Sequence, residues 1–505
     1  MTLTPEQLDA LAGRCLMVDV EGPVLSDEEA ALLQRMRVRA VCLFRRNVPD
    51  AAATRRLVAD LKCALGDDIL IGIDQEGGGV MRTLFLPQAP AAMALGAADD
   101  EALARKVGGA VARGLKSLGI NWNFAPVLDL NNNPANPVIG ERAFGADPVR
   151  AAQLARAWME GHLAEGVACC VKHFPGHGDT HTDSHLDLPV VDKPQAELRD
   201  YELAPFKALS PHAPALMSAH IRFPSLDAEW PATLSPAILT GLLRQELGFQ
   251  GVAITDALNM KAIRERWGQP AGAAQTLKAG ADLALVLQFA DEMEASFDAL
   301  RAALQNGDLT EARLSEAAER VDALIRRYPS VDDYAYAAEQ RAADEALFAE
   351  AWRRALTAHG DVPTLPAGQR LRLVVQEQAP SDGVSEAGLS ASKLVAALSR
   401  RHALEVVRFQ ERAALDWSTL PQDGVFTVLA STTRERYGSR ERQSWKPDLH
   451  LALWNPYAAA DIAAPALISY GFADAALEAV SRCLAGEIAA AGRLPVALGQ
   501  PYLEQ

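Results

Sequence analysis

Over its first 330 residues the chain repeats one pattern, a short apolar run followed by a longer amphipathic stretch. The apolar runs fall at residues 16–20, 38–44, 69–73, 121–128, 167–171, 215–219, 251–255 and 283–287. Segments such as 102–118, 149–164, 198–209 and 236–247 lie between them and carry helical periodicity. Strands this uniformly apolar, separated by helices, predict a parallel sheet buried on both faces. Eight β/α units in a segment of this length fit a (β/α)8 TIM barrel. An open doubly wound sheet gives a similar local pattern, but no G-x-G-x-x-G follows the first strand, which weakens its dinucleotide-binding form. A charged amphipathic helix over 308–328 is expected to close the barrel.

The pattern then restarts on a smaller scale. A linker is expected at 331–343, after the Pro329-Ser330 break, and a second, smaller α/β domain over 344–505. Its predicted strands are 371–376, 404–409, 425–430, 449–454 and 466–470. Helices are expected at 344–358, 390–399 and 474–485. The barrel, residues 1–330, is the expected catalytic domain.

Composition narrows the partners. A net charge of −16 argues against nucleic acid and anionic membrane surfaces. No run of about 20 apolar residues is present, so no membrane span is expected. The segment Met1–Gln7 has neither the basic nor the apolar region of a secretory leader. The six cysteines form no C-x-x-C pair and read as small buried hydrophobes of a reducing compartment, so a cytoplasmic location is expected.

Ionisable residues gather at the strand ends. Asp74 and Glu76 follow the third strand, Asp129 the fourth, Lys172 and His173 the fifth, His220 the sixth and Asp256 the seventh. In a (β/α)8 barrel these positions converge on the C-terminal face, where the chemistry is done. Asp129 is the best candidate among them for a purely structural rim group. The segment Lys172–His185 is densest, with four of the ten histidines. Its His173, His177, His181 and His185 recur every four residues, which on a helix would stack them as zinc ligands. Pro175, Gly176 and Gly178 forbid that helix, so no metal is expected. Carboxylates mixed with Lys172, His173 and Arg142 suit a polyhydroxylated ligand, because charged groups make strong directional bonds to hydroxyls. A nucleophile and a proton donor flanking a glycosidic bond are the minimum for retaining glycoside hydrolysis. On residue types alone, other barrel chemistries stay open.

Four stretches carry a family resemblance: Ile73-Asp74-Gln75-Glu76-Gly77-Gly78, Asn123–Asp129, Lys172–His185 and Ile254–Met260. In them the chain resembles glycoside hydrolase family 3, in its bacterial β-N-acetylglucosaminidase branch. A weaker likeness to the end of the family's smaller domain lies in Gly486-Glu487 and Gly492–Val496. The resemblance implies that Asp256 is the nucleophile and that His185, backed by Asp183, is the acid/base. It implies that Asp74, Arg142, Lys172 and His173 hold the sugar hydroxyls, and that no cofactor is needed. The implied reaction is exo-hydrolysis of terminal β-linked N-acetylglucosamine, from cell-wall muropeptides of the N-acetylglucosaminyl-anhydromuramyl type. Two positions depart from the family pattern. Gly79 stands where the family usually has arginine, and Ala257 where many relatives have a second aspartate.

Three alternatives make different predictions. A β-N-acetylglucosaminide phosphorylase would use phosphate in place of water, which a histidine acid/base repels less than a carboxylate would. A non-catalytic muropeptide-binding protein would need a broken site, whereas Asp183, His185 and Asp256 are all present. A metal-dependent hydrolase would be sensitive to chelator.

Overall fold

The computed structural model describes residues 4–288, 290–379, 384–385 and 388–499. Met1, Thr2 and Leu3, part of the segment scanned for a leader, lie outside them, as do the last residues of the second domain.

The barrel strands are β1 (Leu16–Asp19), β2 (Ala40–Leu43), β3 (Leu70–Ile73), β4 (Trp122–Asn123), β5 (Ala168–Cys169), β6 (Val171–Phe174), β7 (Ala215–Ser218), β8 (Val252–Thr255) and β9 (Ala284–Leu285). One parallel sheet runs β9-β1-β2-β3-β4-β5 and another runs β8-β7-β6. The chain carries the fifth strand from one sheet to the other through Cys170, and an Ile254–Leu283 bridge joins β8 to the approach of β9. The wall is thereby closed all round, and eight staves are present as the apolar pattern implies.

Alternation along each strand explains the apolar runs. Met17, Cys42, Leu70, Trp122, Ala168, Met217 and Ile254 fill the barrel interior. Leu16, Val18, Val41, Ile71, Cys169 and Leu216 face outward into the shell under the helices. With both faces buried there is no polar side to the period. Helix starts follow their caps: Ser26 forms a capping box with Glu29, and Asp50, Asp100, Asp147 and Thr310 accept hydrogen bonds from the first turns of their helices. Helix Glu311–Arg327 sends Val321, Leu324 and Ile325 into the interior cluster and plugs one barrel end.

Several predicted elements are shorter or divided. The run 121–128 pairs at Trp122–Asn123 and again only at Val127, since Pro126 has no N–H to offer the ladder. The expected helix 198–209 is two, Gln195–Asp200 and Ala204–Leu209, with Pro205 in the first turn of the second. Segment 236–247 is helical but widely wound, with Leu247 N–H bonded to Leu242 O five residues back. A helix, Ala338–Ala355, begins inside the stretch read as linker.

In the second domain the order is Thr357–His359, Ala466–Ile468, Leu449–Ala452, Phe426–Ser431, Arg370–Gln376, Ala403–Phe409. Only the first pair is antiparallel. The helix expected at 344–358 ends at Ala355, and Thr357–His359 is an edge strand instead, following that helix almost without a break. Of the cysteines, Cys15, Cys42, Cys169 and Cys170 are buried as expected, while Cys63 is exposed and Cys483 half-buried. No helix among the described residues is long and apolar enough to cross a membrane.

Candidate active site

A cleft of about 160 Å³ opens at the C-terminal ends of the barrel strands. Asp74, Arg142, Lys172, His173, His185 and Asp256 all line it. Asp183 stands behind His185.

One side is a cradle of interlocked charges. Lys172 Nζ lies 2.6 Å from Asp74 Oδ1 and 2.7 Å from Glu76 Oε1. Arg142 grips Glu76 through two bonds of 2.9 Å. Arg82 Nη2 reaches Asp74 Oδ2 at 3.1 Å. Burial opposes ionisation of Asp74 and Glu76, but Lys172 with Arg82, and Arg142 with Lys172, outweigh it and hold both carboxyls below their ordinary range. Burial likewise disfavours the Lys172 cation, and the two carboxylates more than compensate.

The fifth strand reaches this cradle through a bulge. Val171 pairs with Leu216 but Phe174 with Ser218, so β6 carries one residue more than β7. Successive residues of a regular strand face opposite ways; the extra residue allows both Lys172 and His173 to line the cleft. Beneath them lies Asp129. His173 Nδ1 sits 2.6 Å from Asp129 Oδ2, and the backbone N–H of His177 donates to Oδ1 at 2.6 Å. Burial would raise the Asp129 carboxyl, yet His173 and His177 hold it low, so it is a buried anion that orients the loop. That is the structural rim role its position implied.

The opposite side is the loop after β6. It turns where Gly178 passes within reach of the Leu130 carbonyl; a Cβ there would lie 1.6 Å from that oxygen. Asn136 braces it, donating to His177 O at 2.9 Å and to Thr180 Oγ1 at 3.1 Å. His185 follows, with Nδ1 2.8 Å from Asp183 Oδ1 and its own N–H donating to the same oxygen at 2.9 Å. A carboxylate only accepts, so Nδ1 carries the proton and Nε2 is left to face the cleft. Burial works against the imidazolium, but Asp183 overrides it and raises His185 above the ordinary histidine value. The same pairing holds Asp183 low against the effect of burial.

The four regularly spaced histidines share no partner with one another in these bonds. His173 binds Asp129, His177 binds Thr180 and Ser184, His181 meets Asn133, and His185 binds Asp183. Among the described residues no group of three or more His, Cys, Asp or Glu is arranged to hold a metal ion.

Asp256 ends β8. Its backbone N–H donates to Ser218 O at 3.0 Å, and Oδ1 accepts the Ala257 N–H at 2.8 Å. His220 fixes the next peptide, with Nε2 2.9 Å from Ala257 O. Burial pushes the Asp256 carboxyl up; His220, His173 and His185 together push it further down, so it is an anion at neutral pH. A carboxyl pushed below its ordinary value and an imidazole raised above its own therefore share one cleft, the kind of divergence that separates a nucleophile from a proton donor.

Sequence reasoning names Glu76 among the strand-end acids and His177 among the spaced histidines but gives neither a role in the cleft, leaves the role of Arg82 open, and passes over Val384. Glu76 was discoverable from its two-residue spacing to Asp74. Val384, which lines the cleft from the second domain, was not, since no motif marks it.

Comparison with known proteins agrees with the geometry. The model for the glycosyl hydrolase family 3 N-terminal domain matches residues 7–324. A β-hexosaminidase A of Pseudoalteromonas piscicida is 37% identical over 338 residues, covering 60% of this chain and 56% of that protein. This chain thus spans little more than half of that relative. A β-hexosaminidase of Thiobacillus denitrificans is 38% identical over 294 residues, covering 56% of this chain and 81% of its own. A family 3 β-N-acetylglucosaminidase from Paenibacillus sp. FPU-7 superposes with a TM-score of 0.88 at 32% identity, covering 99% of this chain and 100% of its own. With the closed parallel barrel, the strand-end charges and the matched barrel sequence together, this chain belongs to glycosyl hydrolase family 3.

Proposed function

We propose that the protein is a retaining, exo-acting β-N-acetylhexosaminidase that removes terminal β-linked N-acetylglucosamine. The observation that carries this is that Asp256, at the end of one barrel strand, and His185, backed by Asp183 at 2.8 Å, line one cleft. The acetamido sugar is taken from the names of the relatives, two β-hexosaminidases and a β-N-acetylglucosaminidase.

In the first step an Asp256 carboxylate oxygen bonds to the anomeric carbon while the glycosidic C–O bond breaks. The leaving oxygen takes the Nε2 proton of His185 and departs as a hydroxyl. In the second step Nε2 takes a proton from water, whose oxygen attacks the same carbon and frees Asp256. Two displacements retain the β configuration. Asp183 keeps the ring oriented and its proton available near neutral pH. Asp74, Arg142, Lys172 and His173 bond the sugar hydroxyls, and their mutual pairing holds them ready before substrate arrives. We further assign the natural substrate to muropeptide fragments met in the cytoplasm, on the likeness of the 172–185 loop to the branch that acts on them.

The test is turnover of p-nitrophenyl β-N-acetylglucosaminide against the β-glucoside, with and without phosphate. Strong preference for the acetamido sugar, with free sugar formed at a rate independent of phosphate, is expected. Sugar 1-phosphate as product would replace the hydrolase by a phosphorylase, and preference for glucose would overturn the substrate. Muropeptide origin is checked separately, by kcat/KM on an N-acetylglucosaminyl-anhydromuramyl fragment against chitobiose. An advantage for chitobiose would remove the cell-wall assignment.

A further inference from the structure

We infer that the second domain holds the sugar-binding side of the cleft in place through the buried ion pair Arg434–Glu141, which makes both residues positioning residues for Arg142. The inference rests on the assignment of Arg142 to substrate binding made above.

Glu141 and Arg142 are neighbours in the single turn Gly140–Arg142. Their side chains leave it for different partners. Arg142 enters the cleft and meets Glu76. Glu141 meets Arg434 of the second domain, with Oε2 3.0 Å from Nε and Oε1 2.6 Å from Nη2. Both side chains are out of water, at 1% exposure for Glu141 and 7% for Arg434. A two-pronged pair of this kind fixes direction as well as distance.

Arg434 is itself held. Its guanidinium lies 5.0 Å from the centre of the Trp454 ring, and its carbonyl accepts a 2.5 Å bond from Asn455 Nδ2. The barrel side is shaped to admit the pair. A Cβ on Gly79 would lie 3.0 Å from Ser385 Oγ, 3.2 Å from Trp454 and 3.3 Å from Glu141 Oε1. Any longer side chain at 79 would compete for the space in which Arg434 and Trp454 meet Glu141.

Glu76 fixes only the tip of Arg142, at the end of a long side chain. The backbone that carries it is tied upstream by Asn136 Oδ1, which accepts the N–H groups of Val138 and Ile139. Arg434 ties its middle through Glu141. A second link runs in parallel: Arg82 donates to Val384 O at 3.1 Å with one nitrogen and to Asp74 with another. Both contacts run from the second domain to groups in or beside the cradle.

The experiment compares wild type with Arg434→Ala, Arg434→Lys and the double variant Glu141→Ala/Arg434→Ala on p-nitrophenyl β-N-acetylglucosaminide. Thermal midpoints and amide hydrogen exchange over residues 138–143 are read on the same proteins. Arg434→Ala should raise KM about tenfold with a smaller change in kcat, and Arg434→Lys should recover part of it. Removing both partners strands no charge, so the double variant should regain most of the thermal midpoint while KM stays high. A wild-type KM in Arg434→Ala, or KM and thermal midpoint recovering together in the double variant, would overturn the inference. If the wild type cleaves no glycoside, the proposed function fails by itself. Exchange then decides: faster exchange at 138–143 in Arg434→Ala supports the positioning role, and unchanged protection overturns it.

Discussion

The charged cradle of the cleft draws its groups from separate strand ends and a distant turn, whereas the Asp183–His185 pair, proposed above as the acid/base, is two residues apart on one loop. In the cradle Lys172 touches two carboxylates, Glu76 touches two cations, and each is nearly out of water. On the loop the His185 side chain is 41% exposed, and its ring is held by Asp183. Binding a sugar demands groups fixed relative to one another before it arrives, so each charge is over-determined. Donating and recovering a proton demands one group whose ionisation can change in contact with water, so it is left lightly held. Asp256 belongs with neither; burial pushes its carboxyl up, and His220, His173, His185 and the Ala257 N–H together bring it down.

That contrast can be broken at several points. The largest effect is expected from Asp256→Asn, which removes the proposed nucleophile: hydrolysis of p-nitrophenyl β-N-acetylglucosaminide should fall roughly a thousandfold or more, with the thermal midpoint little changed. Activity within tenfold of wild type would remove Asp256 from the mechanism. Glu76→Gln should hurt folding as well as turnover. It leaves Arg142 and Lys172 sharing too little negative charge in a buried site, a loss of about 3–5 kcal/mol in denaturant unfolding. If Glu76→Gln costs no more stability than His185→Gln, the cradle is not the interlocked unit described above.

His185→Gln should lower turnover by about a hundredfold on an alkyl or sugar leaving group, and far less on dinitrophenolate, which needs no proton. Equal losses on both would mean His185 is not the acid. The smallest effect is expected from Asp183→Asn. In the wild type the raised His185 stays protonated past the ordinary histidine value, so kcat/KM should hold through neutrality and fall as pH rises through the His185 value. Losing the Asp183 charge lowers that value, so the alkaline limb should move to lower pH, with turnover at neutral pH down about tenfold. An unmoved limb would separate the two residues.

Sequence reading reached the barrel because strands buried on both faces must be apolar throughout, and it reached the site because strand-end acids and bases have no other common destination. It stumbled where local hydrogen bonding was interrupted, at Pro126 and Pro205, and at the edge strand Thr357–His359, which has no apolar run of its own. In the site it reached Asp74, Lys172, His173 and Asp256 at strand ends, and Arg142, Asp183 and His185 through the family resemblance. Apart from Asp183 behind His185, which that resemblance implies, it could not reach the partnerships among them. That Glu76 binds both Arg142 and Lys172 is a matter of side chains from residues up to 96 positions apart meeting in three dimensions.

What the sequence by itself determined is therefore the architecture and the cast of reactive groups, since both follow from patterns of a few residues: uniformly apolar runs between amphipathic segments, acids and bases at the ends of those runs, and the Pro-Gly-His loop. What only the tertiary structure decided is the charge each group carries and what the second domain touches. An isolated aspartate and an isolated histidine have ordinary ionisation. Asp256 is driven down and His185 up by neighbours that the barrel closure and one loop bring together, and electrostatic coupling depends on distance in space rather than along the chain. The same holds for Arg434, unmarked in its own stretch of sequence, which meets Glu141 only because the two domains pack against one another.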